Sequence, residues 1–155
     1  MRTIDRTDVA APLSRVFALA ADVEQWPTFL EHYRWVRFLE RSPAGGVVEM
    51  AAWRRFGSVP YPTWWVSEMH IDAETRTVRY RHIRGITRGM DVAWTIRGRD
   101  GAVDLQIVHD WAGPRWPLVG GAAARLVIGP VFIHAIAART LAGVKRRAET
   151  SCVQS

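Results

Sequence analysis

Polar and apolar residues alternate along residues 2–9, the period of a half-buried strand. Ala11-Pro12 then opens a helix, because proline suits a first turn and Val16, Phe17, Leu19 and Ala20 form an apolar stripe. Asp22 is placed to cap a second short helical segment. Trp26-Pro27 breaks that run, and Phe29 and Leu30 continue its apolar face. Six strand-like runs follow, at 33–41, 47–56, 63–71, 77–84, 89–97 and 103–111. Between them lie turn residues at 42–46, a loop at 57–62, a turn at 72–74 and the hairpin pair Asp100-Gly101. Short strands with turn signals at this spacing predict an antiparallel meander.

Gly113-Pro114 ends the strands, and residues 116–149 become helical and alanine-rich, with Gly129-Pro130 as a kink or a restart. Residues 118–138 are nearly all apolar. A membrane span needs about 20 uninterrupted apolar residues. Gly120-Gly121, Arg125, Pro130 and His134 interrupt this run, so it reads as a buried helix rather than a span. The basic end Lys145-Arg146-Arg147 suits a helix C-terminus. The order of strand, two short helices, sheet and long helix predicts an α+β fold. A curved antiparallel sheet wraps the long C-terminal helix, and a cavity lies in the gap between them. There is no repeat and no second domain, so one domain is expected over residues 1–149, with a disordered polar tail at 150–155.

Composition changes this picture in three places. At 155 residues, with 48% hydrophobic and 23% charged residues, the chain can bury a sizeable core without staples. Cys152 is the only cysteine, which excludes an internal disulfide and a cysteine zinc site. That fits a reducing cytoplasm, and no apolar signal-peptide region follows Met1. The net charge is +6, with 20 arginines and Lys145 as the one lysine. A basic surface attracts acidic partners, but the arginines are scattered and form no nucleic-acid motif. Eight tryptophans read either as core packing or as the lining of a ligand cavity.

Chemistry-bearing residues are few. The histidines at 32, 70, 82, 109 and 134 show no helical i, i+4 pair and have no companion cysteines, so no metal is expected. There is no phosphate-binding glycine loop and no Gly-x-Ser-x-Gly elbow, so an enzyme of this sequence would work without a cofactor. On the last strand His109 shares a face with Leu105, Ile107 and Trp111. It is either a hydrogen-bonded core residue or a proton-transfer group. Tyr33 is either a donor to a ligand carbonyl or bonded to backbone. His134, on the apolar stretch of the long helix, faces the cavity or a neighbouring helix. Tyr80, His82 and Arg84 alternate onto one face, with Arg84 a solvated strand end or a contact for a phosphate at the cavity mouth. Trp65, Met69 and Trp94 are placed inward, His70 outward, and Glu68 and Asp91 at the surface. The ligand-contacting set is then Trp26, Trp35, Trp65, Met69, His82, Arg84, Trp94, Ile107 and Trp111, with His109, Tyr33 and His134 as catalytic candidates.

Three stretches carry a resemblance: Ala11-Pro12 with Val16-Phe17 and Asp22-Val23-Glu24-Gln25-Trp26-Pro27; Trp65-Val66-Ser67-Glu68 with Asp72 and Arg76-Thr77-Val78-Arg79; and His109-Asp110-Trp111. Over about residues 3 to 149 the chain resembles the polyketide cyclase/dehydrase branch of the START-like helix-grip superfamily. The resemblance implies a cavity that folds a carrier-tethered poly-β-ketone and promotes aldol closure and loss of water. It implies a carrier protein that bears the chain, and with the basic surface the expected partner is an acidic acyl carrier protein; a monomer or homodimer is expected, with no nucleic acid and no membrane span. It nominates Tyr33 and His109. Two positions depart from it. Met69 stands where family cyclases often carry an arginine, and Ile136 and Ala138 stand near the place of an acidic helix residue. Either His82, Arg84 or His134 substitutes, or the protein is a non-catalytic carrier of a lipid, quinone or aromatic metabolite. A third reading is a membrane-surface protein led by Trp116 and the basic surface.

Overall fold

The computed structural model describes residues 1–56, 58–113 and 130–150. Strand β1 (Arg2–Val9) leads into α1 (Leu13–Ala21), a 3₁₀ turn (Val23–Gln25) and the single turn α2 (Trp26–Phe29). Six strands follow: β2 (Tyr33–Ser42), β3 (Gly45–Phe56), β4 (Val59–Asp72), β5 (Thr77–Gly85), β6 (Asp91–Arg99) and β7 (Ala102–Asp110). The described chain ends in helix α3 (Pro130–Thr150). The strands form one antiparallel sheet in the order β1-β7-β6-β5-β4-β3-β2, the expected curved sheet around a C-terminal helix.

Helix α3 is held by a stripe of Ile133, Ala137, Leu141, Val144 and Ala148, all buried, at helical spacing. It packs mainly against β1 and α1, so its inner face looks across the sheet's concave side. Facing it are the alternating inward residues of the strands: Val48, Met50 and Ala52 on β3, Val78 and Tyr80 on β5, Val103, Leu105 and Ile107 on β7. The helix starts at Pro130, and whether it continues upstream falls outside the described residues, as do Trp116 and most of the apolar run at 118–138. Its described part reaches Thr150, the first residue of the expected tail, and the rest of that tail lies outside the described residues.

Several boundaries differ from the sequence pattern. Pro27 sits in the first turn of α2, where its missing N–H costs nothing, so Trp26-Pro27 starts a helical turn instead of breaking one. Asp22 precedes the 3₁₀ turn, but its side chain makes no capping hydrogen bond. The expected loop at 57–62 is mostly strand, because β4 already begins at Val59 and pairs with Phe56. Pro60 and Pro62 are tolerated there because β5 reaches only as far as Trp65, which leaves this stretch of β4 an edge. Strand β6 begins at Asp91 rather than Gly89.

Two β-bulges decide which side chains reach the interior. On β2, Tyr33 pairs with Ala52 but Trp35 pairs with Ala51, so Arg34 is an extra residue. On β5, His82 pairs with Ser67 but Arg84 pairs with Val66, so Ile83 is extra. An extra residue reverses the in/out alternation beyond it. Tyr33 and His82 therefore face inward, while Trp35 and Arg84 face out.

Gly85 closes the second bulge with φ +94°, and a Cβ there would sit 2.3 Å from the Trp64 carbonyl oxygen and 2.7 Å from Trp65 Cα. Gly85→Ala should cost about 1–3 kcal/mol through backbone strain alone. A urea titration checks this; an unchanged midpoint would contradict the close approach.

Candidate active site

The concave face of the sheet and the N-terminal half of α3 line a cavity that opens to solvent. One wall is aromatic. Trp26 lies tilted against Trp94, with ring centroids 5.2 Å apart, and its other side meets the edge of Tyr33 at 5.2 Å. Trp65 continues the wall from Tyr33 and stacks on His82 at 5.9 Å and 12°. The Trp26 indole N–H donates to the Leu19 carbonyl at 2.9 Å, which fixes its ring as a flat inner surface. Met50, Met90, Val92 and Ile107 fill between the rings, and Ile133, Ile136 and Ala137 of α3 close the opposite side.

Into this apolar shell project an arginine and two imidazoles. Arg54, on the inward face of β3, is 7% exposed and donates from Nε to Thr63 Oγ1 at 3.1 Å. The Thr63 hydroxyl in turn donates to the Ala52 carbonyl at 3.0 Å. Burial pushes the Arg54 guanidinium down to about 9, so it remains a cation at neutral pH. His82 places Nδ1 at 2.5 Å from Thr87 Oγ1, and His109 sits with Nδ1 3.5 Å from Thr3 Oγ1. Burial lowers His82 to about 3, helped by the nearby His109 and Arg54. Burial and Arg54 lower His109 to about 4. Both imidazoles are therefore neutral at pH 7 and hold a lone pair able to accept a proton. Tyr33 is pushed up to about 12 by burial, against a hydrogen bond with Thr140 and the charge of Arg54. Its hydroxyl stays protonated and serves as a donor. Behind it His32 Nε2 meets Thr140 Oγ1 at 3.0 Å, and burial with the charges of Arg139 and Arg54 lowers this ring to about 4.

The cavity brings together Tyr33, His82, His109, Trp26, Trp65, Trp94 and Ile107 from the residues nominated by sequence. Five others lie elsewhere. Trp35 is carried to the outer face by the β2 bulge, where its N–H donates to Glu49 at 3.3 Å. Arg84 is exposed on the outer face through the β5 bulge. Met69 is buried on the inward face, as its alternation predicts, but packs in the core beside Tyr80 and does not line the cavity. Trp111 is buried just past the end of β7, its N–H tied to the Arg88 carbonyl at 3.1 Å. His134 points away from the cavity, one residue around the helix from Ile133; its side chain is 67% exposed and pairs with Asp5 of β1. The sequence reading missed Arg54, Thr87 and Thr140. For Arg54 the signal was present: Val48, Met50 and Ala52 are inward at period two, and Arg54 is the next step. Among the described residues no group of three or more His, Cys, Asp or Glu could hold a metal, and no helix is long and apolar enough to cross a membrane.

The depressed imidazoles fix a pH dependence. Unfolded, each histidine has an ordinary pKa near 6.5; folded, His82 and His109 lie near 3 and 4. Between about pH 6.5 and 4 the unfolded chain binds more protons, so stability falls as pH falls through that window. The thermal midpoint should drop steadily from pH 7 to pH 5. His109→Gln should flatten part of the drop, and an identical slope would contradict the buried neutral state.

The comparisons with known proteins agree with this architecture. The model of the family described as polyketide cyclase / dehydrase and lipid transport matches residues 9–136. The actinorhodin polyketide synthase bifunctional cyclase/dehydratase of Streptomyces coelicolor is 29% identical over 113 residues, 72% of this chain. The match spans only 34% of that relative's length. The Zhui aromatase/cyclase from Streptomyces sp. R1128 superposes with a TM-score of 0.83 at 19% identity, covering 98% of this chain and 95% of that one. The di-domain aromatase/cyclase StfQ of the steffimycin biosynthetic pathway gives 0.70 at 19% identity, covering 97% of this chain and 46% of that one. At those identities the structures establish the fold, and the family match over most of the chain establishes kinship: the chain belongs to the polyketide cyclase / dehydrase and lipid transport family.

Proposed function

We propose that this protein is a polyketide aromatase/cyclase that holds a poly-β-ketone in its aromatic cavity and promotes aldol cyclisation with loss of water. The observation that carries the reading is the buried guanidinium of Arg54 within electrostatic reach of two neutral imidazoles, His82 and His109. Aldol closure needs a base to remove a proton from a methylene between carbonyls, a positive charge to stabilise the enolate, and a surface that holds the chain in one fold. His109 supplies the base and Arg54 the charge. Trp26, Trp65 and Trp94 supply the surface.

The proton balance closes without a further reagent. The imidazole takes the methylene proton, the enolate carbon attacks a carbonyl of the same chain, and the new alkoxide recovers the proton from the imidazolium. A second abstraction from the adjacent carbon, with the same proton returned to the departing hydroxyl, releases water. The Tyr33 hydroxyl donates to a carbonyl throughout. When Nδ1–H of His82 donates to Thr87, its Nε2 is left free to act in the second step.

Arg54 thus takes the place of the arginine that Met69 displaces, entering from β3 instead of β4. The basic surface, at net charge +6, favours an acidic acyl carrier protein as the bearer of the tethered chain. The family description also includes lipid transport, and a carrier would need the shell but not the polar cluster.

Reconstitution with a minimal polyketide synthase and its carrier protein separates the two. The protein should yield a cyclised aromatic product, and His109→Ala should reduce it by about 100-fold or more while remaining folded. The same shunt products with and without the protein, across several chain lengths, would sink the cyclase reading and leave the carrier.

A further inference from the structure

Tyr80 places a phenol hydroxyl on the cavity wall. It lies in the middle of β5, paired with Met69 of β4 on one side and Val92 of β6 on the other. Its side chain is 5% exposed and faces the cavity. Its neighbours each have at least one bond within the fold: Tyr33 with Thr140, His82 Nδ1 with Thr87, Arg54 Nε with Thr63, and the Trp26 N–H with the Leu19 carbonyl. Among the described residues no hydrogen-bond partner reaches the Tyr80 hydroxyl. A buried hydroxyl without a partner is costly, and phenylalanine would fill the same volume without that cost. Such groups in native proteins mark places where something other than the fold supplies the bond.

We propose that the Tyr80 hydroxyl is a ligand-binding group that hydrogen-bonds a carbonyl or hydroxyl oxygen of the bound molecule. The cavity thereby selects an oxygen-bearing ring or polyketone over a plain hydrocarbon chain. This rests on the reading that the cavity holds an organic ligand, and it adds a contact on β5 distinct from the reacting groups. Burial raises Tyr80 well above its usual range, with the neighbouring Tyr33 adding to the effect, so the group remains an O–H donor at any working pH. A site built to bond an oxygen rejects the analogue that lacks it more strongly than an apolar pocket can.

Tyr80→Phe tests this with two independent readouts. The first is thermal stability without ligand. A hydroxyl bonded within the fold would lower the midpoint on removal, whereas one reserved for a ligand leaves it within about 3 °C or raises it. The second is calorimetric binding of 1-naphthol, 2-naphthol and naphthalene. The variant should bind at least one naphthol about tenfold more weakly and naphthalene unchanged. A midpoint fall of more than about 3 °C, equal weakening for all three probes, or no weakening would overturn the proposal. If the wild-type protein binds none of the probes, the aromatic-cavity reading fails with it. A failure confined to Tyr80 leaves naphthalene and naphthol binding intact and the cyclase reading standing.

Discussion

The interior depends on burial of polar and charged groups in an aromatic shell, with Arg54 as its cation. A guanidinium placed inside an aromatic shell loses most of its hydration, and what compensates is limited to fixed dipoles and hydrogen bonds nearby. Here the Thr63 hydroxyl receives its Nε–H, itself anchored on the Ala52 carbonyl of the same strand. Tyr33 responds to the charge as well. The same charge recurs among the causes that keep His32, His82 and His109 neutral. Burial is the main cause that keeps the three imidazoles neutral, and the buried cation adds to it. An interior that combines a cation with free bases can support an enolate, which neither group would do alone.

The tryptophans divide along the same line. Trp26, Trp65 and Trp94 face the cavity, while Trp111 seals the loop after β5. Trp35, Trp53 and Trp64 lie on the convex side of the sheet. There Glu49 receives the N–H groups of Trp35 and Trp64 and pairs with Arg37, and Arg34 sits between the rings of Trp35 and Trp53 at 4.8 and 4.6 Å. The sheet is therefore faced with aromatic rings on both sides. On the concave side they shape a binding surface. On the convex side they cover a carboxylate between two strands.

The order of elements and the inward face of the last strand were legible because alternation and turn chemistry act locally. Leu105, Ile107 and His109 share a face in the sequence and share it in the fold. Trp35 and Arg84 were misplaced for one shared reason: a single extra residue, Arg34 or Ile83, reverses the alternation, and nothing in the local composition announces a bulge. Arg54 was legible by period two but lies where an arginine is ordinarily expected at the surface. His134 was misplaced because a helix residue one step from the buried stripe can face either way until its neighbour, Asp5, is known.

The central claim is that Arg54, and not the residue at position 69, supplies the positive charge within the cavity. The most direct measurement is product formation in a reconstituted synthase by Arg54→Met, a substitution of similar length without charge, after circular dichroism shows the native fold. The account predicts that cyclised product falls by about two orders of magnitude or more, the scale of losing one preorganised donor to developing negative charge. Wild-type product yield from a folded Arg54→Met protein would contradict it.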